Sequence, residues 1–436
     1  MIVEFGIQNF GSVKEKQILS FEATKSTDLE QHYVFETTTG IRLLKMALIY
    51  GANASGKTTI LKALEFLRIL IVDPAEKKTD ELNFKPFLFD IHTPEQNSIL
   101  SISFIQNDVR YAYEVEFNKK AIVREELDFY QPNKANIYKR TTDLEKQFTN
   151  ISFGSKIRTD KTFDKVLTAN TLWNTTVLGG FLKTNLENNE LKEVQAWFTD
   201  YLKKIILPHS DLDAFVTSRI KDGEIRKDEV IQILRKADFR ISDILVEEEE
   251  QDLPDGLLEF LEKQVKAPKE QVQKLRDKGK VTTIDLGFEH NVGEGRYVLP
   301  IGAESQGTQR YYGLAGILTI MIKNKVAFCI DELESSLHPD LFVHFILTYL
   351  LNVKKSQLLC TTHNREILNN RDIFRNDVIW FANKNDNCAT TLYSLADFDS
   401  KVIRDTSNVH NAYKIGKLGG VPNLGDYYID TADESN

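Results

Sequence analysis

A glycine-rich segment near residue 50 has the residue types and the spacing of a phosphate-binding loop. It runs Gly51-Ala-Asn-Ala-Ser-Gly56-Lys57-Thr58 and fits the pattern GxxxxGK[ST]. The glycines let the backbone curl until its N–H groups point at phosphate oxygens, and a helix that starts near Lys57 adds the positive end of its dipole. We expect Lys57 to reach the β- and γ-phosphates of a nucleotide and the Thr58 hydroxyl to bind Mg²⁺. The predicted phosphate contacts are Gly51, Asn53, Ala54, Ser55, Gly56, Lys57, Thr58 and Thr59.

Two adjacent carboxylates follow an apolar segment in the C-terminal half of the chain. The segment Val326–Ile330 is followed directly by Asp331-Glu332. A buried strand would deliver both acids to the carboxyl edge of a sheet, where open α/β sheets bind ligands. We expect Asp331 to hold Mg²⁺ through water and Glu332 to polarise the attacking water as a general base. The alternative is a strand that simply ends in two solvated acids, and the phosphate loop elsewhere in the chain favours the catalytic interpretation.

A third segment with anion-binding chemistry is Glu304-Ser305-Gln-Gly307-Thr-Gln-Arg310, which precedes an apolar helical stretch. A Ser-x-Gly segment that opens a helix offers a hydroxyl and free N–H groups to an anion. Ser305 stands 331 − 305 = 26 positions before Asp331. Its own subunit offers it no evident phosphate.

These segments together resemble the ABC-type ATPases. In that family the Ser305-Gln-Gly307 motif is the signature, which contacts the γ-phosphate bound by the opposite subunit. Ser336-Leu-His-Pro339 resembles the D-loop, and His363, which follows the apolar run Gln357–Cys360, resembles the switch histidine that senses the γ-phosphate. The resemblance implies catalytic roles for Lys57, Glu332 and His363, metal ligation by Thr58 and Asp331, and ATP with Mg²⁺ as cofactors.

The start of the chain narrows the resemblance. Asn9-Phe-Gly-Ser12 is similar to the N-F-[RK]-S entry of SMC, RecF and OLD-type ATPases, with Gly11 in the place of the basic residue and Lys14 as a candidate substitute. The phrases LIYGANASGKTTILKAL, ADFRISDILVEEEE, ESQGTQR, CIDELESSLHP and GKLGGVPNL look like the bacterial "AAA family ATPase" group. That group is related to ATPase subunits of phage-defence and abortive-infection systems, including PARIS.

The elements that must position these residues follow from periodicity. Alternating segments at the N-terminus and over residues 98–130 predict antiparallel strands, whereas the apolar runs at 46–50, 326–330, 357–361 and 377–382 alternate with helices and predict a parallel sheet. We therefore predict an α/β fold, an ABC-ATPase head with an N-terminal antiparallel β subdomain and an inserted helical subdomain. The predicted parts are 1–139 with the phosphate loop, 140–285 as the helical insert, and 286–436 with the remaining motifs.

Composition limits the class of protein. The chain has 436 residues, 42% hydrophobic and 27% charged, with a net charge of −9, which is typical of a globular protein and excludes a globally basic nucleic-acid coater. Three widely spaced cysteines form no metal-ligand pattern and favour a reducing cytoplasm. No signal or membrane segment is apparent, so a cytoplasmic location without membrane contact is expected.

The function expected from these features is a nucleotide-gated switch. Because the signature is useful only opposite another subunit, we expect a homodimer, or a higher assembly built from it, that sandwiches two ATP molecules and serves as sensor or scaffold in bacterial anti-phage defence. It would act with a separate effector protein, such as a nuclease or toxin from a neighbouring gene, and DNA or a phage protein is a possible trigger. One alternative is a RecF- or SMC-like DNA-repair or maintenance ATPase that uses the basic run Lys263–Lys280, and another is a scaffold that scarcely hydrolyses nucleotide.

Two further motifs leave smaller alternatives open. Asn383-Lys-Asn-Asp386 matches the NKxD pattern that reads guanine, so GTP use stays open beside the simpler interpretation of a polar turn. Asp397-Phe-Asp399 resembles the DxD of a metal-dependent nuclease, although only 436 − 363 = 73 residues follow His363 and leave little room for such a domain.

Overall fold

The computed structural model describes residues 1–264, 269–365, 368, 372–398, 409–414 and 418. They group into two compact units. The first unit comprises Met1–His209, Asn324–Glu334 and the described part of Phe345–Asn436. The second comprises Ser210–Lys323 and Ser335–His344.

The first unit contains most of the strands. Its strands are β1 (Ile2–Gln8), β2 (Gln17–Ser20), β3 (Val34–Glu36), β4 (Arg42–Leu44), β5 (Met46–Tyr50), β6 (Ser98–Gln106), β7 (Val109–Phe117), β8 (Ile122–Tyr130), β9 (Lys134–Asp143), β10 (Phe148–Phe153), β14 (Ala327–Ile330), β15 (Gln357–Thr362), β16 (Ile379–Lys384) and β17 (Thr390–Ser394). Its helices are α1 (Glu30–Tyr33), α2 (Lys57–Val72), α3 (Lys161–Asn170), α4 (Val177–Leu182), α5 (Asn189–Ala196), which continues as a π-helical turn at Trp197–Tyr201, and α12 (Val409–Lys414).

A five-stranded sheet carries the residues with predicted chemistry. Its order is β14-β15-β5-β16-β17, and all neighbours are parallel except the β16–β17 hairpin. Every residue of β5, β14 and β15 is buried, as expected for strands covered on both faces. Because β14, β15 and β5 are parallel neighbours, their carboxyl ends meet at one edge of the sheet. The predicted α/β fold with a parallel core sheet is therefore confirmed.

The predicted N-terminal antiparallel sheet is also present. Seven strands lie in the order β10-β9-β8-β7-β6-β1-β2. In β7 the side chains of Tyr111, Tyr113, Val115 and Phe117 are buried on one face, as their alternation predicts. The side chain of Gln357 on β15 links this sheet to the parallel one, since its amide donates to the Ile2 carbonyl at 3.0 Å and accepts from the Ile2 N–H at 2.5 Å.

The second unit combines helices with a small sheet. Its elements are α6 (Leu212–Lys221), α7 (Lys227–Lys236), β11 (Asp243–Asp252), α8 (Leu257–Lys263), α9 (Lys269–Lys278), β12 (Lys280–Val292), β13 (Gly295–Pro300) and α10 (Gln306–Lys323). Helix α11 (Pro339–Asn352) begins in this unit and ends in the first. The three strands form an antiparallel sheet in the order β11-β12-β13.

The segment 140–285 is less helical than expected. Residues 140–209 group with the first unit, and the β9–β10 hairpin extends its large sheet. The glutamate-rich stretch at 247–250 favours a helix by intrinsic propensity, but it lies in β11, where ten residues pair with β12 and Lys280 lies 3.4 Å from Glu250. Cross-strand pairing therefore overrides local propensity there. Among the helices that the structure describes, none combines the length and hydropathy that crossing a bilayer requires.

Candidate nucleotide-binding site

The predicted phosphate loop connects β5 to α2, and its backbone is left-handed at two positions, one of which requires glycine. Ala54 and Gly56 have φ values of +61° and +103°. A Cβ atom on Gly56 would stand 2.1 Å from Thr390 Oγ1 and 2.6 Å from Ser12 Oγ, so a side chain there would collide with both. The Thr390 hydroxyl also donates to the Ser55 carbonyl at 2.8 Å. Thr390 of β17 thus helps to hold the phosphate loop in place, and the sequence pattern of the loop does not predict this residue.

Lys57 lies beneath this loop. Its side chain is buried, and Nζ donates to the carbonyls of Gly51 at 2.9 Å and Ala52 at 3.0 Å. Burial lowers the pKa of Lys57, while the carboxylates of Glu332 and Asp331 act in the opposite direction. Among the described residues, the hydrogen bonds of this desolvated ammonium group go to carbonyl oxygens, which it is well placed to exchange for phosphate oxygens.

Asp331 lies directly below the start of α2. Its carboxylate accepts a hydrogen bond from Thr58 Oγ1 at 2.9 Å and another from Thr361 Oγ1 at 2.6 Å. The hydroxyl of Thr58 and the carboxylate of Asp331 are hard oxygen ligands, which Mg²⁺ prefers. The residues present therefore fit the predicted magnesium site.

Glu332 has an unusual backbone conformation. Its φ of +46° places a non-glycine residue in the left-handed region, which costs about 1–3 kcal/mol and is concentrated at functional sites. Its backbone N–H donates to Thr361 Oγ1 at 2.8 Å, and its carboxylate is partly exposed. Its Oε1 lies 3.5 Å from Nε2 of His363. The strained backbone thus directs the carboxylate toward the predicted switch histidine.

A second glutamate, which the sequence interpretation missed, holds the histidine segment in place. The carboxylate of Glu334 accepts a hydrogen bond from the backbone N–H of His363. Its other oxygen, Oε2, is buried and has no hydrogen-bond partner in the part of the chain that the structure describes. The spacing of Glu334, two residues after Glu332 in Asp-Glu-Leu-Glu, is a signal that sequence reasoning could have used.

These side chains surround one cleft in the first unit. Its volume is about 430 Å³, within the range of small-molecule sites. The lining residues are Ser12, Asn53, Ala54, Ser55, Gly56, Lys57, Thr58, Thr59, Glu332 and His363. Two predicted residues lie just behind this lining: the Gly51 carbonyl accepts a hydrogen bond from Lys57, and the Asp331 carboxylate accepts one from Thr58. Every site residue predicted in this unit therefore lies at the cleft or directly behind it.

The predicted signature and D-loop segments lie together in the second unit. Ser305 caps α10, because its Oγ accepts the N–H of Thr308 at 3.1 Å. A Cβ atom on Gly307 would stand 3.1 Å from the carbonyl oxygen of Ser336, whose φ is +64°. Glycine at this position therefore allows the two backbones to approach closely.

Thr361 is a positioning residue that the sequence interpretation did not single out. Its hydroxyl contacts both acids of the site, donating to Asp331 and accepting from the N–H of Glu332. We expect Thr361→Val to lower kcat for ATP hydrolysis by about 10- to 100-fold, as for other groups that orient a metal-binding carboxylate. Steady-state phosphate release measures this. Thr361→Ser keeps the hydroxyl and should stay near wild type. A wild-type kcat in Thr361→Val, which keeps the bulk and lacks the hydroxyl, would show that the hydroxyl is dispensable.

The other motifs have local structural roles. The side-chain oxygen of Asn385 accepts the N–H groups of Asn387 at 3.1 Å and Ala389 at 3.0 Å, so the NKxD-like segment ends β16 and begins the β16–β17 turn. Asp397 takes part in a capping box with Ser394, and Asp399 lies outside the described residues.

Two candidates from the N-terminus and the late phrase have different outcomes. Lys14, the candidate substitute for the basic residue of the N-F-[RK]-S motif, forms an ion pair with Asp90 at 2.8 Å. Its ammonium group is therefore engaged with Asp90. Of the late phrase GKLGGVPNL, only Leu418 lies within the described residues.

Comparison with solved structures returns heads of SMC proteins at low similarity. The SMC head domain from Thermotoga maritima shares 12% identity over 90% of this chain and 98% of its own, with a TM-score of 0.39. An SMC head bound to the C-winged helix domain of ScpA shares 14% over 90% and 97%, with a TM-score of 0.42. An Smc head with an extended coiled coil bound to the C-terminal domain of ScpA, from Pyrococcus furiosus, shares 13% over 96% and 98%, with a TM-score of 0.38. These TM-scores are too low to support a fold assignment, which depends on the strand order of the sheets.

Comparison with sequence families gives a definite assignment. No curated protein matches the chain. The pattern of one family, described as "AAA domain, putative AbiEii toxin, Type IV TA system", matches residues 46–369, well over half of the chain. The match spans the phosphate loop, the paired acids and the histidine. The chain therefore belongs to this family of AAA-domain ATPases.

Proposed function

We propose that the protein binds and hydrolyses ATP and uses the cycle as a conformational switch. The observation that carries this proposal is the convergence of the phosphate loop, Glu332 and His363 on one cleft, with Asp331 bonded behind it. Three chain segments far apart in sequence supply these groups. Such a combination of a phosphate cradle, hard oxygen ligands and a candidate base is what phosphoryl transfer to water requires.

The phosphate loop and its flanking residues would bind and orient the triphosphate. The backbone N–H groups of the loop and the start of α2 would cradle the phosphates, and Lys57 would turn from its carbonyl partners to the β- and γ-phosphates. Thr58 and Asp331 would hold Mg²⁺, which when bound supplies charge neutralisation on the phosphates. The hydrogen bond from the Thr361 hydroxyl would keep the Asp331 carboxylate oriented for this role.

Glu332 and His363 would act on the attacking water. Glu332 would accept a proton from this water. The oxygen of the water would attack the γ-phosphorus in line with the bond to the departing ADP. The 3.5 Å approach between the two side chains supports a role for His363 in orienting the carboxylate and in contacting the γ-phosphate. The bond from Glu334 to the backbone of His363 would keep the histidine at that distance.

Ser305 and Gly307 are proposed to complete the site of a second copy of the chain. Helix α10 has 18 residues, and its N-terminus would offer N–H groups and the Ser305 hydroxyl to a γ-phosphate held by the partner. Two copies related by a two-fold axis would then enclose two ATP molecules. Hydrolysis would remove the phosphate bridge and loosen the interface, which makes conformational change the output.

The family description supports a place in bacterial defence. It names an abortive-infection toxin and a type IV toxin–antitoxin system. We propose that the switch is the sensor or scaffold ATPase of an anti-phage system, that it acts with a separate effector protein, and that a phage protein or DNA triggers it. A PARIS-like arrangement is one such system.

The charge pattern gives the DNA-repair alternative little support. In the basic run, Arg276 pairs with Glu262 at 2.8 Å, and both Lys278 and Lys280 lie within 3.4 Å of Glu250. Lysine and arginine side chains that are neutralised by their own neighbours release few counterions on DNA. This run therefore has the character of a solvated, self-paired surface.

A phage challenge tests the defence role. Bacteria that carry the gene with its neighbours should resist at least one phage, and Lys57→Ala should abolish this resistance, because the switch cannot load nucleotide. Plating efficiency measures the effect, with protein levels matched by immunoblot. Resistance that survives Lys57→Ala, or a phenotype limited to DNA-damage sensitivity, would contradict the proposed role.

A further inference from the structure

We infer that the second unit binds an extended, basic segment of a partner protein in a cleft beside strand β12. The inference deepens the proposed function, since it rests on a separate partner and assigns the surface that recognises it. The contacts that carry it lie within the second unit, so the binding itself needs neither nucleotide nor the cleft of the first unit.

The cleft lies between the first turns of α6 and the small sheet. Its volume is about 590 Å³, which suits a few residues of an extended chain. Its apolar surface is provided by all three strands and the turn that follows them, through Leu245, Ile284, Leu286, Val298 and Ile301. Ile284 and Val298 remain substantially exposed, at 38% and 50%. Exposed apolar side chains at the wall of a cleft are typical of a binding groove.

The strand that borders the cleft has an open edge. Residues 280–289 of β12 pair with β11 on one side, but β13 pairs on the other side only with residues 287–292. Among the described strands, none lies along residues 280–286 on that side. An unpaired row of backbone N–H and C=O groups is a template for an added strand. An extended peptide can therefore continue the sheet beyond the end of β13, by the β-augmentation mode of recognition.

Four carboxylates define the charge of the cleft. Asp211, Asp213, Glu247 and Asp285 all line it. Across the described residues, none of the four is within ion-pair distance of a basic side chain. Two other acids of β11, the strand that carries Glu247, do form ion pairs. Glu248 pairs with Lys221, and Glu250 pairs with Lys278 and Lys280. Among the described residues, Glu248 and Glu250 are thus paired with lysines, whereas the four acids of the cleft are not.

Two of these acids are close enough to interact directly. Burial raises the pKa of Asp213, and a hydrogen bond from Asp213 lowers the pKa of Asp211. Two neighbouring carboxylates repel each other when both are ionised, and a cationic side chain between them relieves that repulsion. A lysine or arginine of a bound segment is such a cation.

The same charges exclude other occupants. Nucleic acid would bring phosphates toward four carboxylates, which is unfavourable. Among the described residues, no three histidine, cysteine or acidic side chains are placed to hold a metal ion. A segment that alternates basic and apolar residues satisfies the acids, the apolar walls and the open strand edge together.

A defined peptide tests the inference. The probe is a short fluorescein-labelled peptide of alternating lysine and valine, titrated with the full chain at physiological salt and followed by fluorescence anisotropy. We expect saturable binding that weakens at least about tenfold in Asp213→Asn/Asp285→Asn, because two charge pairs between the cleft and the peptide are lost. The matched control Glu224→Gln/Glu259→Gln removes two acids elsewhere in the unit and should bind as wild type. Asp285→Asn alone, at an exposed position, should weaken binding in the same direction.

Altered peptides separate strand pairing from simple attraction of charge. A lysine–glycine peptide lacks the apolar side chains, and a lysine–valine peptide methylated at alternate backbone nitrogens cannot pair, so both should bind much more weakly. Absence of saturable binding, equal binding by the cleft and control double variants, or full binding of the methylated peptide would each overturn the inference.

The Lys57→Ala variant separates this inference from the proposed function. It should bind the peptide with unchanged affinity, since the phosphate loop takes no part. Normal ATP hydrolysis without peptide binding would overturn the docking inference alone, whereas normal peptide binding without ATP hydrolysis in the wild type would overturn the ATPase proposal alone.

Discussion

Replacing Glu332 by glutamine is expected to lower the rate of ATP hydrolysis by about 10²–10⁴-fold while ATP binding stays close to wild type. Glutamine has nearly the shape of glutamate but cannot accept the proton of the attacking water. The backbone bond from residue 332 to Thr361 Oγ1 does not involve the side chain and should persist. Phosphate release measures turnover, and equilibrium binding of a fluorescent ATP analogue measures affinity.

The control for this variant is Glu76→Gln, which removes an exposed carboxylate from the same unit. It should hydrolyse ATP at the wild-type rate. Wild-type turnover in Glu332→Gln would remove Glu332 from its proposed role as the base. Loss of ATP binding together with turnover would instead indicate that the carboxylate acts in binding.

Lys57→Ala is expected to weaken ATP binding at least about 30-fold, which corresponds to about 2 kcal/mol or more for truncating one partner of a desolvated charge pair. The ammonium group is buried and bonded only to the carbonyls of Gly51 and Ala52 in the described contacts, so it can turn to the phosphates without breaking an ion pair. Isothermal titration with Mg-ATP measures the loss.

Lys62→Ala is the matched control for the lysine variant, because Lys62 is an exposed lysine on the same helix α2. It should bind ATP as tightly as the wild type. A circular dichroism melt without nucleotide checks that Lys57→Ala is folded. Unchanged ATP affinity in a folded Lys57→Ala chain would contradict the assignment of this loop as the phosphate site.

The part of the site that sequence predicts is the part encoded by local pattern. A phosphate loop is one short segment whose glycines, lysine and threonine have fixed spacing, and strand β5 before it and helix α2 after it follow from hydrophobic periodicity. The acids at 331 and 332 are found for a similar reason, because an apolar strand ends at them.

The residues that support the site are not encoded locally. Thr390 reaches the loop because β17 is the hairpin partner of β16, and Thr361 reaches Asp331 because β15 lies beside β14. These contacts depend on the order of strands in the sheet, which a single sequence does not determine. Glu334 is not predicted for another reason, since a third acid after Asp331 and Glu332 has no evident role until the backbone N–H of His363 is placed beside it.

The segment around residue 247 shows how tertiary pairing changes local preference. Four consecutive glutamates favour a helix in isolation, yet they lie in a ten-residue strand. Their cross-strand partners and nearby basic side chains decide the outcome, and neither can be identified from helical periodicity. The strand matters for function because it forms one wall of the cleft in which we infer that a partner binds.

The most direct test of the nucleotide switch is the mass of the Glu332→Gln variant in solution, measured by light scattering after gel filtration with Mg-ATP. The account predicts a stable dimer at about twice 50.0 kDa with ATP and a monomer with ADP. Adding Ser305→Arg, which places a bulky side chain at the proposed signature contact, should return the ATP-bound variant to the monomer. A Glu332→Gln chain that is monomeric while ATP is demonstrably bound would contradict the two-chain site.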